Sequence, residues 1–178
     1  GLPLETYESW TNGISTLIEN GQHNRIQFNN LSLLPNAPMV KRGDITKYGL
    51  ETVVSDMINI HGSLGEWVDN VHERQQVVVA TSTMPKEDWI KARNFSYMTS
   101  FLHFNKVLQM SNISLNNLYE VSYKEIIDTF IENQERMPAI GEINSIFSDQ
   151  SNRLRQGGAE YIHYEGGLNI WWPADEYA

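Results

Sequence analysis

The chain contains no cysteine. That excludes disulfides, thiolate-held metals and cysteine nucleophiles, and it suits a reducing, cytoplasmic setting. Basic residues are also scarce: 13 Lys and Arg stand against 22 Asp and Glu, for a formal net charge of −9. A phosphate backbone is bound by clustered cations that displace counterions, and only Lys41 and Arg42 are adjacent here. Nucleic acid is therefore not an expected partner. No apolar run approaches the roughly 18 residues of a membrane span, and no signal-peptide pattern is visible, so no membrane association is expected. GxSxG, Walker and GxGxxG motifs are missing. The five histidines (His23, His61, His72, His103, His163) show no HxxxH or HExxH spacing, which leaves a zinc site unsupported.

What the chain does have is bulk. Its 178 residues include five Trp, eight Tyr and six Phe, enough for one domain with a sizeable core. Glu5 or Thr6 can cap a helix running to about Asn20, with Trp10, Ile14, Leu17 and Ile18 on one face and Gly21 as its stop. From Arg25 to Leu34, Ile26 and Phe28 alternate with Gln27 and Asn29, a strand pattern ended by Pro35 and Pro38. Leu50, Val53, Val54, Met57 and Ile58 sit in helical register, predicting a helix over Tyr48 to Asn59 that breaks at His61-Gly62-Ser63-Leu64-Gly65. The run Val77-Val78-Val79-Ala80 predicts a strand covered on both faces.

After Thr83 and Pro85 the pattern turns helical. One long helix is predicted from Lys86 to Met110, apolar around much of its surface and so in need of burial on several sides. His103 lies on it and reads as a hydrogen-bonded core residue. Ser122-Tyr123-Lys124-Glu125 has capping-box spacing ahead of a further helix, and Pro138 opens another that Gly157-Gly158 closes. Glu160 to Trp172 is aromatic and glycine-interrupted, a strand or an irregular docking segment. The class expected is α+β, predominantly helical: residues 1–85 alternate strands and helices as a β/α barrel or doubly wound sheet would, and residues 86–178 form a helical extension packed with them as one unit.

Several stretches, taken in order, resemble one known family. They are GLPLET (Gly1 to Thr6), GQHNRIQFNNLSLLPNAPM (Gly21 to Met39), KYGLETVVSDMINIHGS (Lys47 to Ser63), ERQQVVVATSTMPKEDWIKAR (Glu73 to Arg93), LHFNKVLQ (Leu102 to Gln109), QGGAEY (Gln156 to Tyr161) and NIWWPADEY (Asn169 to Tyr177). GLPxET alone is a weak signal; the nineteen residues from Gly21 are far more specific. Together the stretches resemble the end of the barrel and the helical C-terminal extension of radical S-adenosylmethionine (SAM) enzymes of the cobalamin-binding type, often methyltransferases. At Leu4 the family motif more often has glycine.

The resemblance implies a [4Fe–4S] cluster, SAM and cobalamin for the parent enzyme. The cluster is held there by a CxxxCxxC loop that lies upstream of Gly1 in the family. A chain without cysteine binds no such cofactor alone and is expected to be catalytically inert. A start at Gly1 inside a motif, and a stop soon after Trp171-Trp172, read as a piece cut from a longer protein. Surfaces bared by such a cut predict homo-oligomers. The resemblance makes Glu5, Thr6, Asn29, Asn30 and Thr81 the SAM- or substrate-side candidates. The residues offer plainer readings beside these. Glu5 suits a helix N-terminus, and an asparagine in an apolar strand either pairs with a polar ligand or faces water.

Two other readings stay open. A self-contained helical binding module would use an aromatic ligand or partner surface around Trp171-Trp172. A cysteine-free hydrolase would need two carboxylates converging in one cleft, with Glu87-Asp88 and Asp175-Glu176 as the adjacent pairs.

Overall fold

A computed structural model describes residues 2–41, 43–58, 73–166 and 170–178. Helix α1 spans Tyr7–Glu19. The Thr6 hydroxyl accepts from Ser9 N at 3.1 Å, and the Ser9 hydroxyl accepts from Thr6 N at 2.9 Å, so two of the helix's free N–H groups are satisfied reciprocally. Gly21 follows the helix at φ 93°, the left-handed geometry that the sequence predicted for its stop. Ile14 and Ile18 are buried, but Leu17 is 52% exposed and leaves the packed face predicted for it.

Three strands form one sheet in the order β1–β3–β2: β1 (Ser32–Leu33), β2 (Glu51–Asp56) and β3 (Arg74–Ala80). Both pairings are antiparallel, with Ser32 opposite Val77 and Val53 opposite Val77 on the other side. The α+β, predominantly helical class holds, while the parallel neighbours expected of barrel-like alternation are replaced by antiparallel ones. β3 is central and covered on both faces, as its β-branched run predicted. Val77 and Val79 pack with Met84, Trp89 and Leu154, whereas Val78 packs oppositely with Leu33 and Leu50.

Two sequence expectations change here. The predicted helix over Tyr48 to Asn59 is strand β2 from Glu51 to Asp56. The short helices α2 (Pro38–Lys41) and α3 (Asp44–Tyr48) precede it. Thr52, Val53 and Val54 suit either state. Pairing with β3 decides for the strand, with Ser55 buried and its neighbours exposed at period two. The break predicted at His61 to Gly65 lies outside the described residues. The predicted strand from Arg25 to Leu34 is paired only at Ser32–Leu33. Residues 25–30 keep the alternation, with Ile26 and Phe28 on the helical core and Gln27 and Asn29 exposed, but no described strand pairs with them.

Helix α4 (Lys86–Thr99) runs into a π-helical turn at Ser100–Phe104, so the single helix predicted to Met110 is interrupted. Lys106 at φ 68° turns the chain into α5 (Gln109–Tyr119). The interruption is held by Asn105 Nδ2, which donates to the Asp175 carbonyl at 3.0 Å, and by Gln109 Nε2, which donates to the carbonyls of His23 (2.8 Å) and His103 (3.1 Å). Helices α6 (Tyr123–Glu132) and α7 (Pro138–Arg155) follow, the first capped by the Ser122 hydroxyl and the second opened by Pro138. A hairpin of β4 (Ile162–Tyr164) and β5 (Ile170–Trp172) leads into α8 (Ala174–Tyr177). The main core gathers Ile14, Ile18, Phe95, Met98, Leu102 and Phe147 around α4. No described helix is long and apolar enough to cross a membrane.

Candidate functional site

One turn of α4 places Arg93 and Tyr97 on the same side of the helix. Burying a guanidinium costs several kcal/mol unless its donors find acceptors. Arg93 is only 9% exposed; its Nη1 donates to Asn30 Oδ1 and its Nη2 to the Tyr97 hydroxyl, while Nε has no partner. Asn30 Nδ2 donates in turn to Glu160 Oε1. Gln75 Nε2 donates to Glu160 Oε2 at 3.1 Å, and Ser32 Oγ donates to Gln75 Oε1 at 2.7 Å. The cation and the carboxylate are thus joined through an amide instead of touching.

A cavity of about 460 Å³ opens beside this chain. Tyr97, Glu160 and Tyr161 line one part of it, and Arg25, Asp175 and Glu176 another, with Phe28 and Asn29 between. Arg25 pairs with Asp175 at 3.4 Å and with Glu176. A smaller cavity, of about 40 Å³, shares Phe28, Asn29 and Tyr97 and reaches Trp10, Trp89 and Arg93.

Burial, the largest influence, pushes the Tyr97 hydroxyl's pKa up, and the adjacent Arg93 only partly opposes it. Tyr161 is raised by burial and then by Glu160. Both phenols therefore stay protonated at neutral pH and act as donors. Tyr97 already accepts from Arg93, and its own proton has no acceptor among the described residues. Burial likewise raises Asp175, against the pull of Arg25 and of the Asn105 side chain. Chemically, the cavity offers neutral hydroxyl and amide donors beside a cluster of carboxylates.

The five residues singled out from sequence fall into two groups. Asn29 is exposed and lines both cavities with no hydrogen bond of its own among the described residues. Asn30 has both ends of its amide engaged. The other three meet around Thr83, whose hydroxyl donates to the Glu5 carbonyl at 2.7 Å. There Thr81 Oγ1 accepts from Met84 N at 3.0 Å, Glu5 Oε2 accepts from Leu2 N at 3.2 Å, and Thr6 caps α1. No described hydrogen bond joins the two groups. Arg93, Tyr97, Glu160 and Tyr161 went unread in the sequence. The available signal was an Arg and a Tyr four apart in a helical run, flanked by the apolar Trp89, Phe95 and Met98.

A [4Fe–4S] cluster does not fit the residues present. The chain has no thiolate to offer, and no three His, Asp or Glu side chains converge among the described residues.

No family model matches the chain. Over 124 residues, 69% of its length, it is 32% identical to the cobalamin-dependent radical SAM methyltransferase TokK of Streptomyces tokunonensis. Over a stretch of the same length it is 30% identical to the 2-(S-pantetheinyl)-carbapenam-3-carboxylate methyltransferase of Streptantibioticus cattleyicolor. Each match covers 18% of the relative, so the chain spans less than a fifth of the length of these curated proteins. The sequence is therefore similar to one part of two methyltransferases, in keeping with the resemblance carried by its motifs.

Proposed function

We propose that this chain serves as the substrate-side part of a larger cobalamin-dependent radical SAM methyltransferase, and that it does not catalyse methyl transfer alone. The observation that carries this reading is the 124-residue similarity to two methyltransferases. The absence of cysteine supports the second half, because the cluster's thiolates then come from another polypeptide segment. In such an enzyme the cluster and SAM supply the radical. The residues here hold and orient what reacts: the Asn29 amide and the Tyr97 and Tyr161 hydroxyls donate to the bound molecule, and Phe28 and Pro173 give it apolar walls.

Reconstitution of the isolated chain with iron, sulfide and SAM is expected to release no 5′-deoxyadenosine; release would sink the claim of dependence on another segment. In a longer protein that includes this segment and a CxxxCxxC loop, Tyr97→Phe is expected to raise KM about tenfold with SAM cleavage retained, as loss of one buried hydrogen bond predicts. A longer protein that never cleaves SAM would overturn the assignment itself.

A further inference from the structure

A third cavity, of about 480 Å³, lies on the β4–β5 side of Tyr161, and the methyltransferase reading gives it no role. Its walls are Trp171, His163 and Tyr161, with Arg153 and Gln156 from the end of α7 at its edge. His163 and Trp171 are cross-strand partners in the hairpin, and their rings stand 4.9 Å apart at 43°. Such aromatic walls accept a flat ring by stacking or edge contact. The backing is firm. Buried Gln150 donates from Nε2 to the Ala159 carbonyl at 2.7 Å, and Gly158 N donates to the Arg153 carbonyl at 2.8 Å.

Charge separates this cavity from its neighbour. The first is lined by the carboxylates Glu160, Asp175 and Glu176; among the described residues this one is lined by none, although the chain's net charge is −9. Arg153 is exposed, and no described carboxylate or other acceptor pairs with its guanidinium. His163 Nε2 is buried with no hydrogen-bond partner, and its Nδ1 is 3.9 Å from the largely exposed Glu165, too far for a hydrogen bond. An exposed guanidinium without a counter-ion at the mouth of an aromatic cavity is met by one small anion.

We propose that the Trp171–His163–Arg153 cavity is a binding site for a flat, singly charged ligand, an aromatic carboxylate. The ring lies against Trp171 and Tyr161, and the carboxylate accepts from Arg153, with the His163 ring alongside. A planar carboxylate matches the guanidinium fork, and its single charge is balanced by Arg153 alone. The site stands whether or not the chain works within a methyltransferase.

The test titrates the full chain with benzoate, with benzamide as the neutral isostere and inorganic phosphate as a tetrahedral anion. Tryptophan fluorescence and the imidazole NMR signals of His163 are followed. Benzoate is expected to bind at least about tenfold more tightly than benzamide or phosphate, and Arg153→Gln is expected to erase that advantage while leaving benzamide unchanged. Trp171→Leu is expected to weaken benzoate and benzamide together. Equal binding of benzoate and benzamide would overturn the proposal. So would tighter binding of phosphate, benzoate affinity unaltered in Arg153→Gln, absence of benzoate binding at tens of millimolar, or shifts that map to Tyr97 in place of His163.

Discussion

Helix α4 has two buried sides that solve burial in opposite ways. Phe95 and Met98 go into a mainly apolar core with Phe147, where dispersion dominates. Arg93 and Tyr97 go toward the cavities, where burial is tolerated only because Asn30 relays the guanidinium to Glu160. The apolar side is closed. The polar side stays incompletely satisfied, with an unpartnered Arg93 Nε and an unused Tyr97 proton beside open volume.

The largest loss of stability is expected from the closed side. Phe147 is fully buried, and Phe147→Ala is expected to cost about 3–5 kcal/mol in urea unfolding. Arg93→Met keeps bulk but removes two charge-assisted hydrogen bonds, for about 1–3 kcal/mol. A cost equal to that of Phe147→Ala would erase the distinction between the two sides.

The third test uses protons. His103 is buried on the core side, its Nε2 3.1 Å from His23 Nδ1 and its ring packed edge-on against Phe104 and Tyr123. Burial first, and His23 second, lower its pKa from 6.5 to about 4. The unfolded chain therefore takes up this proton before the folded one does. Stability from the neutral ring is complete above pH 6.5 and drains away as pH falls toward 4, by about 3 kcal/mol. Urea midpoints across that range are expected to fall, and His103→Gln to flatten the slope. An unchanged slope would mean that the ring is not held neutral by the core.

The smallest effect concerns neither side of α4. Leu4 sits at φ 70° and is 69% exposed, so its side chain contributes strain without burial. Leu4→Gly is expected to stabilise the chain by about 0.5–1 kcal/mol in the same unfolding measurement. It also gives a backbone reason for the family's glycine at this position. Destabilisation would mean that Leu4 packs in a way its exposure does not reveal.

Where the sequence could be read, the cause was local. Thr6 caps α1, Gly21 takes positive φ, Ser122 and Pro138 open their helices, and Val77 to Ala80 forms a strand buried on both faces. Each depends on a few neighbouring residues or on one residue's backbone preference. Where the reading failed, a distant partner decided. Thr52 to Val54 became strand by pairing with β3, and residues 25–30 stayed extended without a described partner strand. Within the candidate site Asn29 and Asn30 were legible as polar interruptions. Arg93, Tyr97 and Glu160 were not, since the bonds from Asn30 reach 63 residues to Arg93 and 130 residues to Glu160.

By itself, then, the sequence determined what chemistry this chain cannot supply. Without cysteine it offers no thiolate to an iron–sulfur cluster, and its few cations are scattered along the chain. It also set the caps and turns, because these are contests between neighbouring groups. Only the tertiary structure decided that one helix would bury phenylalanine on one side and arginine on the other. It likewise joined His23 to His103 across 80 residues and separated an acidic cavity from one lined by Arg153 and His163. The physical reason is the same in each case. Burial and charge pairing are properties of what lies opposite in space, and spacing along the chain does not record that.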